Sequence, residues 1–397
     1  MMWGIGRLGA RRDHGPPSSE SDRGPRGVSE RPHDPCSGED SDSATAGSDD
    51  SEGAAGLSER VVRGLVASRI GNLVLLLLVS ALVALPGVFG SRVLQITVTT
   101  MLINLILVIS LQVFVGNSGV FSFGHVAFMA MGAYAVGIAR IPPNVKSALF
   151  PRMPEIQLDP VTAVVVGGLV AAAVALIIGP PLMRLTGLVA GLATFALLNI
   201  VFIVSSNWHS VTGGSTGLNG VPQTTTPLVA LAWTGVAILI AWLFRHSNTA
   251  LQLRASREDE VAARSLGIGV MKQRTTAFVI SAFIAGLAGG LFAQFFGTFN
   301  AEAFFLKTTF AIVAMLVIGG ALSLTGALMG TLFVTLVSEG LRRIESGVEL
   351  ASWTISFRPG LQQLGVALAM LAVLLFLPSG ITRGREWTIY RPSTEES

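Results

Sequence analysis

The sequence has one cysteine, Cys36, two tyrosines and little charge: Asp, Glu, Lys and Arg make up 13% of its 397 residues. A single cysteine excludes an internal disulfide, and no metal-ligand spacing surrounds it. So little charge also excludes one large soluble domain, which would need a far more charged surface, whereas 51% hydrophobic residues and 45 glycines fit a polytopic membrane protein. The 27 basic and 24 acidic residues are too few to indicate a nucleic-acid partner. Acids are scarcest where a carrier would need them. Between Val61 and Arg257 the only ones are Glu155 and Asp159, both in a loop, so a self-contained proton- or cation-coupled carrier would be left with Glu339 as its coupling group. There is no nucleotide-binding motif and no nucleophile-base constellation, so neither an enzyme nor a cofactor or metal site is expected.

What is present falls into segments. Residues 1–57 are dominated by Gly, Pro, Ser, Asp and Arg, with an acidic run from Glu39 to Glu52, and should form a disordered tail without the apolar centre of a secretory signal. Residues 58–382 are the membrane domain. Apolar runs of roughly bilayer-spanning length occupy 73–89, 93–115, 121–141, 161–180, 188–204, 228–244, 275–296, 310–322, 326–341 and 364–377. The expected fold is therefore all-α and polytopic, with about ten transmembrane spans. The runs at Phe121 and Phe310 are rich in glycine and are candidates for broken or re-entrant elements.

Lys and Arg near the span ends give the orientation. Arg60, Arg63, Arg69, Arg184, the cluster at 245–274, and Arg383, Arg385 and Arg391 fall on one side, the cytoplasm, together with both termini and the short tail at 383–397. The loop Ser205 to Pro227 has neither Lys nor Arg, as expected outside. Arg140, Lys146, Arg152, Arg342 and Arg343 fall on the outer side against the rule.

The longest charged interruption is Arg245 to Arg274, RHSNTALQLRASREDEVAARSLGIGVMKQR. Ser256 is placed to cap a helix whose first turn carries Glu258, Asp259 and Glu260, with Asp259 at the return position of a capping box and Gly267 at its end. Such a helix is too short to be stable alone, and Ala262, Ala263 and Leu266 would need a partner surface.

Three further stretches carry polar groups among glycines. GNSGVFSFGHVAFMAMGAY, from Gly116 to Tyr134, brings Ser118, Ser122, Gly124 and His125 to membrane depth, a costly arrangement unless it lines a cavity or another protein surface. IGGALSLTGALMGT, from Ile318 to Thr331, with Ser323, loosely echoes it. TGGSTG, from Thr212 to Gly217, suits a tight turn better than a ligand contact and is not a phosphate loop, having no lysine after its glycines. For His125, hydrogen bonding to a neighbouring helix is the simpler reading.

REDEVAARSLGI followed by AFVISAFIAGLAGGLFAQF resembles the coupling loop and next span of the membrane permease subunits of branched-chain amino-acid ABC importers. SFGHVAF with GAY, and TGGSTGL, resemble two further segments of that family, and the likeness extends over roughly Asn104 to Thr382. It implies a permease subunit without catalytic residues, in the bacterial plasma membrane. Its implied partners are ABC ATPase subunits, a second permease subunit, an extracytoplasmic binding protein and membrane lipid. It implies coupling to the ATPase through Arg257, Glu258, Asp259, Glu260, Ala262, Ala263, Arg264 and Gly267, although Val261 stands where the family's loop carries glutamate. The substrate pathway is expected beside Ser118, Ser122, Gly124, His125 and Ser323. Urea and short-amide importers use similar subunits, so these cargoes, like a secondary carrier, stand as alternatives.

Overall fold

The computed structural model describes residues 70–149, 157–345, 348–350, 353–355, 361–376 and 380–382. The expected tails at 1–57 and 383–397, with Arg60, Arg63, Arg69 and Arg152, lie outside the described residues.

Each of the ten apolar runs is a helix. In chain order they are α1 (Ile70–Phe89), α2 (Arg92–Ser118), α3 (His125–Arg140), the short α4 (Pro143–Leu149), α5 (Pro160–Leu182), α6 (Gly187–Asn207) and the single turn α7 (His209–Thr212). A two-residue strand β1 (Leu218–Asn219) precedes α8 (Pro227–Arg245), α9 (Asn248–Glu258), α10 (Glu260–Ser265) and α11 (Val270–Phe296). Strand β2 (Thr298–Phe299), α12 (Leu306–Gly319), α13 (Leu324–Glu345), the hairpin strands β3 (Val348–Leu350) and β4 (Trp353–Ile355), and α14 (Leu361–Phe376) complete the described chain. Among the described residues, eight helices, counting a 3₁₀ turn at Ala301 with α12, are long and apolar enough to cross a membrane; α3 and α14 are shorter, at 16 residues each. The chain is an all-α polytopic membrane protein.

Lipid supplies no hydrophobic force between helices, so close backbone approach must come from small residues. Gly286 of α11 lies where a Cβ would strike Gly168 and Ala171 of α5, and a Cβ on Gly289 would run into the Met129 carbonyl of α3. Gly132 of α3 meets Gly286 from the other side. α3, α5 and α11 therefore form a close three-helix crossing at small residues. A second crossing joins α12 and α13 as an antiparallel pair, with Gly319 against Gly326 and Gly330 against the Met315 carbonyl.

Side-chain contacts set two ends for the bundle. At one, Arg245 of α8 reaches the Leu322 carbonyl, Arg274 of α11 pairs with Glu260 of α10, and the C-terminus of α2 meets the turn between α12 and α13. At the other, the Thr212 to Gly220 loop is tied down: Leu218 pairs antiparallel with Phe299, and Gly217 packs on the Phe299 carbonyl with φ 77°, a conformation that favours glycine. Thr212 Oγ1 donates to the Ser205 carbonyl at 2.6 Å. This loop has the tight-turn role that its composition suggested. Arg140, one of the cations on the unexpected side, donates to the Leu158 carbonyl at 2.8 Å, and Lys146 is buried. Arg342 and Arg343 both bond Glu339, at 2.8 and 2.9 Å. Partners within the protein thus account for four of these five cations better than a loop count does.

Candidate functional site

The segment joining α2 to α3 is a true break. α2 ends at Gly119 in the left-handed region, φ 70°, and α3 begins only at His125. Side chains satisfy its backbone: Val120 N–H bonds Ser118 Oγ at 3.2 Å, and Phe123 N–H bonds Thr194 Oγ1 of α6 at 3.1 Å. Gly124 lies so close to Thr194 that a Cβ would sit 2.8 Å from its carbonyl oxygen. Two of the N–H groups freed by the break are therefore partnered within the protein.

His125 is buried and bonded at both nitrogens, to Ser122 Oγ at 2.9 Å and to Ser281 Oγ of α11 at 3.0 Å. Because Ser281 gives its proton to the Phe278 carbonyl, Nε2 is assigned as the donor to Ser281, and Nδ1 accepts from Ser122. Phe114, Phe128 and Phe278 enclose the ring, with centroids 5.7, 6.4 and 6.0 Å away. This network fixes the start of α3 against α11.

The second glycine segment is the turn between α12 and α13. Ser323 caps α13, accepting from Gly326 N–H at 3.0 Å, and donates to Thr382 Oγ1 at 2.9 Å. Thr382 in turn donates to the Gly319 carbonyl at 2.9 Å, so the piece 380–382 pins this turn. The two segments meet: a Cβ on Gly116 would lie against both the Ala321 carbonyl and the Gln112 side chain. The loose sequence echo thus marks two breaks that share one spot at one end of the bundle.

The charged loop lies over that spot. It holds two helices rather than the one expected, because the chain breaks at Asp259. Ser256 does not cap; it is buried inside α9 and donates to the Leu253 carbonyl. Asp259 is the cap of α10, its Oδ1 accepting from Val261 and Ala262 N–H at 2.8 and 3.0 Å. A six-residue helix gains more from a cap at its own first turn than from one three residues upstream. Gly267, φ 79°, ends α10, with Gly267 N–H on the Arg264 carbonyl and Ile268 N–H on the Ala263 carbonyl.

Arg257 points inward from α9. Its Nη1 donates to the Gly116 carbonyl at 2.9 Å, its stem packs on Gly119, and Nη2 holds the exposed Glu258 at 2.7 Å. Glu260 faces its own scaffold, bonding Arg264 and the buried Arg274. Partial burial pushes its carboxyl up, but hydrogen bonds and charge from Arg274, then Arg264, outweigh that and hold it below the usual glutamate range. Ala263 is buried against the protein, whereas Ala262, Arg264 and Gly267 are exposed. The sequence reading missed Val261, which with Leu266 is about 80% exposed, an apolar pair on an otherwise polar loop. A valine at a position expected to be charged was the available signal.

Residues 92–378 match the sequence model of the family described as the permease component of the branched-chain amino acid transport system. Among curated proteins, the chain is 28% identical over 305 residues to the high-affinity branched-chain amino acid transport system permease protein LivM of Escherichia coli (strain K12), covering 68% of each. It is 33% identical over 159 residues to LivH of Salmonella typhimurium, covering 39% of this chain and 47% of that one. A third relative, over 192 residues at 28% identity and covering 46% and 55%, is the autoinducer 2 import system permease protein LsrC of Klebsiella pneumoniae. No solved structure matches the chain. With the family model spanning most of its membrane helices, this chain belongs to the branched-chain amino acid transport system permease family.

Proposed function

We propose that the protein is the permease subunit of an ATP-driven importer for branched-chain or related amino acids, with residues 58–382 as its membrane domain. It works with a second permease subunit, two ATPase subunits that supply the energy, and an extracytoplasmic binding protein that delivers the cargo. The observation that carries this reading is the bond from Arg257 to the Gly116 carbonyl. It links a loop that displays an unpartnered apolar pair, Val261 and Leu266, to the break where two glycine segments meet. A force applied to α10 by a docked ATPase would pass through α9 to Gly116 and loosen its contact with Ala321. That contact, with Ser118, Ser122, Gly124, His125 and Ser323 around it, forms the inner constriction of the pathway. Their hydrogen bonding and burial suit a closed element better than a wet one.

The coupling end, both termini and the basic loop are cytoplasmic; the Thr212 to Gly220 loop is external. The LsrC relative, named for a different cargo, supports treating the amino acid as a matter of the site and not of the family. The experiment is uptake of radiolabelled leucine by vesicles holding this chain and its partner subunits, with and without internal ATP. ATP-dependent uptake, together with copurification of an ATPase subunit that Val261→Asp abolishes, is expected. Uptake driven by a proton or sodium gradient without ATP would overturn the reading in favour of a secondary carrier.

A further inference from the structure

At the end of α2 remote from Arg257, α2, α12 and α13 line a half-open cavity of about 590 Å³. That volume lies within the roughly 300–1,000 Å³ typical of small-ligand clefts. Its wall on α2 runs from Val93 to Asn104, which is twelve residues, or roughly 18 Å, along the helix from Arg92. The cavity therefore extends from the rim of the bundle to about mid-span, on the same helix whose far end closes on Ala321.

Its chemistry is mixed in a specific way. Met315 and the aliphatic residues of α2 give an apolar floor, while Asn104, Thr335 and Ser338 turn polar side chains into it. Hydroxyls inside membrane helices ordinarily bond the carbonyl one turn back, as Thr331 does to Ala327 and Thr309 to Phe305 in the same two helices. Thr335 and Ser338 do not, and among the described residues neither they nor Asn104 have a side-chain partner. Unbonded polar groups at this depth are costly unless water or a ligand meets them. Both charge signs are also present. Lys307 has no ion-pair partner among the described residues, whereas Glu339 on the facing helix is already paired with Arg342 and Arg343.

We infer that this cavity is a binding site for the carried molecule, and that it selects a zwitterionic α-amino acid with an apolar side chain. The carboxylate meets Lys307, the ammonium meets the free oxygens of Asn104, Thr335 and Ser338, and the side chain lies on Met315. The inference rests on the importer reading for its cargo and adds the site. A ligand without a carboxylate would leave Lys307 desolvated against nothing, and one without an ammonium would leave the oxygens of Asn104, Thr335 and Ser338 unmet, which is how a wide cavity can still discriminate.

The test is alkylation of Ser338→Cys in a Cys36→Ser background, using the assembled transporter in vesicles and a small water-soluble maleimide. The cysteine is expected to react, and L-leucine at roughly ten times its Kd to slow the reaction about tenfold, by mass action. 4-Methylpentanoate and leucinamide, each carrying one of the two charges, should not protect. In Lys307→Met, an exposed position whose loss spares the fold, the reaction persists and leucine protection falls. An unreactive cysteine, protection undiminished in Lys307→Met, or equal protection by 4-methylpentanoate would overturn the inference, the last marking a general anion site such as a lipid headgroup would fill. Leucine uptake is measured in the same vesicles. ATP-driven uptake without protection strikes out the cavity alone, whereas uptake without ATP dependence strikes out the importer reading.

Discussion

The Arg257 guanidinium donates to the Gly116 carbonyl, across 141 positions of sequence and over 2.9 Å, and its stem fills the space beside Gly119. A bond from a charged donor to a helix-end carbonyl contributes about 1.5–3 kcal/mol. The bond joins α9 of the loop directly to the end of α2 at the break. Arg257→Ala should leave the protein inserted and able to bind its ATPase, but lower uptake per ATP hydrolysed by about tenfold or more, since each 1.4 kcal/mol is a factor of ten. Arg257→Lys, able to reach Gly116 but not to hold Glu258 as well, should recover part of it. Normal coupling in Arg257→Ala, read as the ratio of leucine transported to phosphate released, would remove the bond from the mechanism.

The glycine crossing should be intolerant in a graded manner. Gly289→Ala sets a methyl against the Met129 carbonyl and the Ala133 backbone, which cannot rotate away, so the helices must separate. Overpacking of this kind costs about 1–3 kcal/mol. Gly179→Ala meets only side-chain atoms at 3.4 Å, and Gly340→Ala meets nothing within 4 Å. Thermal unfolding in detergent should rank Gly289→Ala well below the other two. Equal melting temperatures for all three would contradict the packing described for α3 and α11.

How much of this was legible in the sequence varies with range. Ten helices follow from run length, a local property. The turn role of TGGSTG was legible for the same reason. The helix break at Asp259 was not, because Ser256 and Asp259 are both good caps and only the burial of Ser256 within α9 decides between them. The glycine segments at Gly116 and Gly320 were recognisable as special, but their meeting at Ala321 is a contact over some 200 positions that no spacing encodes. The cavity was invisible for a similar reason: Asn104, Lys307 and Glu339 lie on three helices, and each alone resembles an ordinary membrane-edge residue.

The piece 380–382 acts as a latch on the second break. Thr382 bonds Gly319 through both its hydroxyl and its N–H, at 2.9 and 3.2 Å, and accepts from Ser323. Thr382→Val keeps the shape and the N–H bond but strands the Ser323 hydroxyl, a loss of about 1–3 kcal/mol for a buried donor. Ser323→Ala removes the donor that Thr382→Val leaves stranded but also the cap of α13, so the double variant, which still loses the Thr382 hydroxyl bond to Gly319, should fall below Ser323→Ala by less than the full effect of Thr382→Val. A double-variant melting temperature lower by the sum of both singles would show that the hydroxyls act independently.

The acid limb of stability tests the loop itself. The carboxyl of Glu260 is held below the usual glutamate range by Arg274 and Arg264 against the opposing effect of partial burial. A carboxylate whose folded value is depressed stabilises the native loop above its unfolded pKa, and that contribution fades as pH falls through the folded value. The loss should therefore begin below about 4.3, the ordinary glutamate value, and deepen as the solution becomes more acid. Amide exchange at residues 260–266 should quicken over that window in the parent protein. In Glu260→Gln it should already be faster at neutral pH and should lose its own acid step. Because Glu260 faces inward, this substitution should weaken ATPase docking only by loosening α10, whereas Val261→Asp should abolish docking with exchange unchanged. If the glutamine variant keeps the acid step, another group controls it and the pairing with Arg274 is not what holds α10 in place.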